Sequence, residues 1–193
     1  MIKKLGECCS IRTGLVLSRK EATTSEDSHD YRVLSLRNVT ENGDILVDEV
    51  EIYYAGEQLK DDYFTHVGDI LLRLSVPYTA VLVTKQETEL LVPSHFAIIR
   101  TSSAIVPEYL HWWLAKHRKR FYKIASGGTV MGTISSGFIA EMQIELPPLE
   151  KQRKISDLLR LANREQWLLS QLSEKKKILN NAILNELLNK EKS

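Results

Sequence analysis

The sequence predicts an α+β protein with a globular body of short mixed strands and a packed helix, followed by one long C-terminal helix. Short apolar segments separated by turn residues fill most of the body, and a helical period begins at residue 107. No proline or glycine occurs between Leu149 and Leu188. We therefore divide the chain into residues 1–147, the body, and residues 148–193, the helix.

Composition favours an ordinary folded protein of 193 residues, with 43% hydrophobic and 26% charged residues. No apolar run approaches the ~20 residues that a membrane span needs, and the first residues lack the apolar core of a signal peptide. Cys8 and Cys9 are adjacent and cannot join distant segments, and no Cys/His cluster has zinc spacing. We expect a cytoplasmic protein without a metal site and without contact with a membrane.

The net charge of +1 conceals an asymmetry between the two parts of the chain. Residues 151–193 contain ten Lys and Arg against five Asp and Glu, whereas residues 1–150 contain sixteen against twenty. The body is therefore mildly acidic. A nucleic-acid surface on it has to be a local basic patch and cannot be a property of the whole face.

The body begins with an apolar segment and a turn around Gly6 and Gly14, followed by a polar stretch, residues 18–30, that we expect to form an exposed loop. The turn signals are Asn42-Gly43-Asp44 and residues 67–69. Alternating or buried apolar runs predict the further strands, which are residues 31–39, 45–47, 70–72, 80–83, 90–92 and 96–99.

Residues 107–124 are predicted to form one helix, since proline suits a first helical turn. The apolar stripe at helical spacing is Tyr109, Leu110, Trp113, Leu114 and Phe121. The other face carries Lys116, His117, Arg118, Lys119, Arg120 and Lys123. We expect Trp113, Leu114 and Phe121 to be buried, with Arg118 and Arg120 pointing outward. A loop rich in glycine and hydroxyl side chains follows.

Pro147-Pro148 forms a hinge between the last strand and the long helix, because proline has no N–H and ends the strand ladder at Leu146. A heptad that starts at Ile155 places apolar residues at seven of ten core positions. These seven, the predicted helix–helix contacts, are Ile155, Leu158, Ala162, Leu169, Leu172, Leu179 and Ile183. A forty-residue helix is ~60 Å long. The body is too narrow to cover such a stripe, so we expect a second helix to do so.

Sequence motifs for catalysis are absent. There is no phosphate-binding glycine loop in the right context, no Gly-x-Ser-x-Gly elbow and no His-Glu-x-x-His. The five histidines are scattered, and the pair Asp61-Asp62 is better interpreted as a solvated turn. We expect no catalytic residue and no metal ligand in this chain.

Three segments are candidates for contact with nucleic acid, and each has a plainer interpretation. The basic helix, residues 116–123, is either a phosphate-contacting surface or a solvated face, and its named candidates are Arg118 and Arg120. The loop between the strands at 70–72 and 80–83 is either a recognition loop or an ordinary hairpin; its candidates are Arg73, Ser75, Tyr78 and Thr79. The third segment, residues 126–136, offers Thr129 and Thr133, or is only a flexible connection.

Several short motifs, taken in order, resemble the specificity (S) subunits of type I restriction–modification systems over nearly the whole chain. At the start are Lys4-Leu5-Gly6, Ile11 and Gly14. Then come Gly68-Asp69-Ile70-Leu71, His95-Phe96-Ala97-Ile98-Ile99-Arg100, Tyr109-Leu110, Ser126-Gly127-Gly128-Thr129 and, most specific, residues 146–155, Leu-Pro-Pro-Leu-Glu-Lys-Gln-Arg-Lys-Ile.

The resemblance implies that residues 1–147 are a target recognition domain that reads half of a split DNA site. It also implies that the long helix is the spacer. An S subunit usually carries two of each, whereas this chain has one of each and therefore resembles a half-subunit. The loop Arg73-Leu74-Ser75-Val76-Pro77 also lacks the glycines common there in the family, so its contacts cannot be transferred directly.

The implied partners are double-stranded DNA and adenine methyltransferase (modification) subunits, which would bind S-adenosylmethionine; this chain itself would bind no cofactor. A restriction subunit is a further implied candidate. One recognition domain cannot read a two-part site, so we expect an antiparallel homodimer through the long helix. The rival hypothesis is a coiled-coil scaffold whose head binds protein, and a third is a fragment of a fused restriction–methylation enzyme.

Overall fold

The structure, a computed structural model, describes residues 1–22, 28–125 and 132–190, with side chains described up to residue 188. The strands are β1 Ile2–Lys4, β2 Cys9–Thr13, β3 His29–Val33, β4 Glu51–Ala55, β5 Ile70–Arg73, β6 Ala80–Leu82, β7 Phe96–Thr101 and β8 Gln143–Glu145. The helices are α1 Pro107–Lys116, α2 Arg118–Ala125, α3 Ser136–Glu141 and α4 Leu149–Lys190. The predicted α+β class is confirmed.

An antiparallel sheet in the order β2-β7-β5-β6 forms the centre of the globular unit. Its inner strands carry consecutive apolar residues with no exposed surface, Ile70 to Leu72 in β5 and Phe96 to Ile99 in β7. A strand that is apolar at every position is covered on both faces, so these two strands lie in the core. Two smaller antiparallel pairs, β1 with β8 and β3 with β4, complete the described sheets.

Three predicted strands differ from the structure. The strand predicted at 31–39 ends at Val33, and residues 36–38 form a 3-10 turn, because buried Asn38 caps the turn at Ser35 and donates to the Glu49 carbonyl at 2.9 Å. Residues 45–47 and 90–92 contribute isolated bridges at Ile45 and Leu91 and no strand. The strand β4 was not predicted.

The helix predicted over 107–124 is two helices that meet at His117. The N–H of His117 still donates to the Trp113 carbonyl at 3.0 Å, and the His117 ring nitrogen Nδ1 bonds the same oxygen at 2.8 Å. The Arg120 N–H then bonds the His117 carbonyl at 2.8 Å, and this three-residue spacing interrupts the regular α-helical pattern where α2 begins. The predicted burial of Trp113, Leu114 and Phe121 is confirmed.

The short helix α3 was interpreted from sequence as part of a loop. Ser135 starts it, because its side-chain oxygen accepts the Phe138 N–H at 3.1 Å. One buried residue, Ile139, anchors α3 to the core.

The first turn of α4 belongs to the globular unit, which extends to Gln152. Gln152 is 1% exposed. Its Oε1 accepts the Val106 N–H at 2.9 Å, and its Nε2 donates to the carbonyls of Ala104 (3.1 Å) and Pro147 (2.9 Å). The glutamine of the Pro-Pro-Leu-Glu-Lys-Gln motif thus fastens the hinge to the segment that starts α1.

Residues 153–193 form the second unit, described here as the helix α4 to Lys190. Its apolar stripe is exposed, with 68% of Leu158, 50% of Leu172 and 46% of Ile183 accessible. Ala162, Leu169 and Leu179 are exposed as well, and Ile155 is half-buried. The predicted long helix is confirmed. Its pairing with another helix stays a prediction.

Candidate nucleic-acid interface

The hairpin loop between β5 and β6 is a tight turn. The Tyr78 N–H donates to the Ser75 carbonyl at 2.8 Å, across a cis peptide bond between Val76 and Pro77. The Arg73 N–H donates to the Thr79 carbonyl at 2.9 Å and extends the β5–β6 ladder up to the turn. Arg73 and Ser75 therefore lie where β5 ends and the turn begins.

The chain just before α3 lies along this turn. Ser75 and Thr133 form an antiparallel bridge, and the Ile134 N–H donates to the Leu74 carbonyl at 2.8 Å. Buried Ile134 fixes the contact. Two segments that are far apart in sequence, and that were predicted separately as DNA contacts, are thus neighbours at Ser75 and Thr133.

Tyr78 connects the turn, residue 132 and α2. Its side chain is 1% exposed and its hydroxyl donates to the Gly132 carbonyl at 2.9 Å. Its ring packs edge-on to Tyr122 and tilted to Phe121, with centroid distances of 4.9 and 6.0 Å. The Tyr122 hydroxyl donates to the Pro77 carbonyl at 3.3 Å. Burial raises the pKa of the Tyr78 phenol, so it remains a hydrogen-bond donor at neutral pH.

The helix α2 brings a basic face to this turn. Phe121 is fully buried, so Lys119 and Lys123, which lie across the helix from it, are exposed, and Arg120, about 100° around the helix from Phe121, is exposed as well. Within the described part of the chain, no carboxylate lies at ion-pair distance from these three side chains or from Arg118. Their charge is free to attract an anion.

Two other arginines of the central sheet, Arg12 and Arg100, are neutralised instead. Arg12 pairs with Asp62, which lowers the pKa of that carboxyl through a hydrogen bond and charge attraction. Arg100 donates to buried Asp69 at 3.1 Å and to the Phe64 carbonyl at 2.8 Å. Asp69 also accepts the His66 N–H at 3.0 Å. The Gly-Asp-Ile-Leu motif therefore positions a loop, and its aspartate is structural.

The sequence of the chain matches a known protein family. The chain matches the type I restriction modification DNA specificity domain over residues 1–189. The chain belongs to this family.

Solved structures support the fold of this specificity domain. A chain from a study of complex assembly and conformational transition of the type I R-M system matches with a TM-score of 0.65, 16% identity, and coverage of 91% of this chain and 41% of that one. The HsdS subunit from Thermoanaerobacter tengcongensis matches with a TM-score of 0.59 and 17% identity, over 86% of this chain and 37% of that one. The type I S subunit from M. genitalium matches with a TM-score of 0.55 and 13% identity, over 86% of this chain and 39% of that one. The specificity domain thus spans about two fifths of the length of these chains. No curated protein matches it.

Of the eight side chains predicted to contact DNA, the structure brings three to the turn, namely Arg73, Ser75 and Thr133. Arg73 and Ser75 are half-buried, with Arg73 Nε 3.5 Å from Ser75 Oγ, and Thr133 is exposed. Arg120 is exposed on α2, but it lies on the side of that helix away from Tyr122, the residue that touches the turn. Thr129 lies outside the described residues.

Three of the predicted residues are placed differently. Tyr78 is buried and Thr79 is 4% exposed, because residues 132–134 and α2 cover the turn, so neither side chain is available to DNA in this structure. Arg118 is half-buried because it lies one helical turn before buried Phe121. Lys119 and Lys123, which were not among the named contacts, are more exposed and better placed to contact DNA. Their four-residue spacing in the sequence already indicates that they share one face of the helix.

The described residues hold neither a metal-binding cluster nor a membrane-spanning helix. No group of three or more His, Cys, Asp or Glu within residues 1–22, 28–125 and 132–190 could hold a metal ion. Over the same ranges, no helix is long and apolar enough to cross a membrane.

Proposed function

We propose that this specificity domain reads a DNA sequence through the surface where the turn 73–79, residues 132–134 and α2 meet. The observation that carries the proposal is the juxtaposition of Ser75 with Thr133 beside an unpaired basic helix face. Membership of the DNA specificity family supports the same conclusion.

The chemistry of the surface divides into two kinds of contact. Arg73 can bond the two acceptors of a guanine edge, and the hydroxyls of Ser75 and Thr133 can donate or accept at a base or a phosphate. Lys119 and Lys123 are suited to phosphates, which contribute affinity and set the position of the duplex without selecting its sequence. Tyr78 acts from inside by holding the turn through its bond to the Gly132 carbonyl, and Thr79 contributes the backbone carbonyl that accepts the Arg73 N–H.

The partners follow from the family. We infer that the domain works with modification subunits that methylate adenine and bind S-adenosylmethionine, with a restriction subunit as a further partner, and that it contributes no catalytic residue itself. The solved relative described in terms of complex assembly of the type I R-M system supports such partners. We infer that the complex acts in the cytoplasm, where the DNA to be methylated would lie.

We further propose that two copies pair antiparallel through α4. The stripe of Leu158, Leu172 and Ile183 is 46–68% exposed, and burying a large apolar side chain stabilises by ~1.5–3 kcal/mol. The chain spans only 37–41% of the solved relatives it resembles, so a second copy would supply a second recognition domain and a second spacer.

A two-fold dimer of this kind would read a palindromic pair of half-sites, separated by a spacer whose length α4 sets. Glu165 and Lys176 occupy core positions of the heptad. In an antiparallel pair, Glu165 of one copy could approach Lys176 of the other and fix the register.

Binding at increasing salt tests the proposed recognition. We expect a duplex selected from a random pool to bind with a steep salt dependence and to outcompete a scrambled duplex of the same composition. Arg73→Ala should relax the preference at one position of the site, whereas Lys119→Ala should weaken selected and scrambled duplexes alike. A protein-binding scaffold would show neither sequence preference nor a steep salt slope.

A further inference from the structure

A groove of about 370 Å³ lies on the far side of α2 from the turn, between α1, α2 and the β1–β8 pair. Its walls include Trp112 and Lys116 of α1, Arg120 of α2 and Glu145 of β8. None of these residues belongs to the turn, and Lys116 and Arg120 both come from the basic segment, residues 116–123, predicted from the sequence.

The aromatic wall of the groove is held in place. The Trp112 ring packs against the Tyr109 ring with centroids 5.7 Å apart, and the Tyr109 hydroxyl donates to the backbone carbonyl of Glu145 at 2.8 Å. The Lys116 ammonium lies 4.8 Å from the Trp112 ring centroid, within the range of a cation–π contact. The indole therefore fixes one otherwise flexible cation at the groove.

The charge of the groove favours an anion. Lys116 and Arg120 are exposed, and no carboxylate in the described part of the chain lies within ion-pair distance of either. The acidic side chain at the groove is Glu145, which opposes an anion but is outnumbered by the two cations.

The groove continues the proposed DNA surface. The helix α2 contacts the turn through the Tyr122 hydroxyl, 3.3 Å from the Pro77 carbonyl, and lines the groove through Arg120. A helix with its side chains is ~10–12 Å across, and successive base pairs are ~3.4 Å apart. For a duplex whose axis crosses α2, that width corresponds to about three base pairs beyond the bases that the turn would read.

We propose that this groove binds the phosphodiester backbone of the DNA that flanks the recognised bases. Lys116 and Arg120 contact phosphates there, and Trp112 positions Lys116. The inference rests on the proposed function, because it assumes that a duplex lies on the turn. It adds a site that contributes affinity without sequence preference, and it predicts that binding depends on DNA beyond the recognition sequence.

The test combines a charge change with a change of DNA length. The double variant Lys116→Gln/Arg120→Gln is compared with Lys60→Gln/Lys85→Gln, which removes the same charge from two exposed lysines outside the groove. Each phosphate contact contributes ~0.9 to the slope of log affinity against log salt. The groove variant should therefore have a slope shallower by about 2, and lose about tenfold less affinity than wild type between 50 and 200 mM salt. Its order of preference among duplexes should not change.

Duplexes with and without flanking base pairs make the assignment specific. Wild type and the control variant should bind the long duplex more tightly, and the groove variant should bind both lengths equally. Glu145→Gln, which keeps the backbone carbonyl that Tyr109 uses, should strengthen binding of the long duplex only.

The outcomes separate the two proposals. If wild type binds no duplex preferentially, the proposed function fails. If wild type binds its site but the groove and control variants have equal slopes, the inference alone is overturned. Loss of assembly with a modification subunit, with DNA binding unchanged, would overturn it too and assign the groove to a protein partner.

Discussion

Gln152 is the residue through which the hinge motif fastens the start of the long helix, and replacing it should destabilise the globular unit. Gln152→Met keeps the length of the side chain but removes three hydrogen bonds, to the Val106 N–H and to the carbonyls of Ala104 and Pro147. A net contribution of ~1 kcal/mol for each gives a loss of about 3 kcal/mol. For a unit of this size, that corresponds to a melting temperature lower by ~6–12 °C.

The assay is thermal unfolding followed by near-ultraviolet circular dichroism, which reports the packed aromatic side chains of the globular unit. The matched control is Gln171→Met, the same change at an exposed position of α4, which should shift the free energy of unfolding by less than ~0.5 kcal/mol. Equal melting temperatures for wild type and Gln152→Met would refute the role given to the motif.

Three further variants test the core, the turn and the helix. Trp113→Ala should cost ~3–5 kcal/mol, because Trp113 is 5% exposed, and an unchanged melting temperature would contradict the burial of α1. Tyr78→Phe keeps the ring contacts but loses the bond to the Gly132 carbonyl. It should therefore weaken sequence preference more than Tyr109→Phe, which loses an equivalent bond to the Glu145 carbonyl. An equal sequence preference for the two variants would show that Tyr78 does not position the turn. Leu172→Glu should convert a dimer into a monomer in light scattering at micromolar concentration, whereas Gln171→Glu should not; a wild-type monomer, or an unaltered mass for Leu172→Glu, would end the dimer proposal.

Local patterns were enough to predict the hinge and the long helix. Pro147-Pro148 stops a strand for a reason that no distant contact can override, and forty residues without proline or glycine leave few alternatives to a helix. The strands β5, β6 and β7 were found for a similar reason, since turns bound them and their residues are continuously apolar. The strand β4 was missed because both of its faces carry apolar residues, with Ile52 and Tyr54 exposed and Tyr53 and Ala55 buried.

The candidate site depends on contacts that sequence patterns do not contain. The turn around Tyr78 was interpreted as an exposed tip, as loops between strands usually are. Gly132, which accepts the Tyr78 hydroxyl, is 54 residues away along the chain, and that segment together with α2 buries the turn. The break between the two helices at His117 could not be predicted either, because the apolar spacing from Trp113 to Phe121 fits a single helix as well as two.

The central claim is that this chain determines which DNA sequence its complex methylates, and mapping methylated adenines across the genome in cells with and without the gene tests it most directly. We expect a two-part palindromic motif with a fixed spacer to be methylated only when the gene is present. Arg73→Ala should alter both halves of that motif together, because both copies of a dimer carry the change. The same methylated sites in both kinds of cell, or an asymmetric motif, would contradict the account.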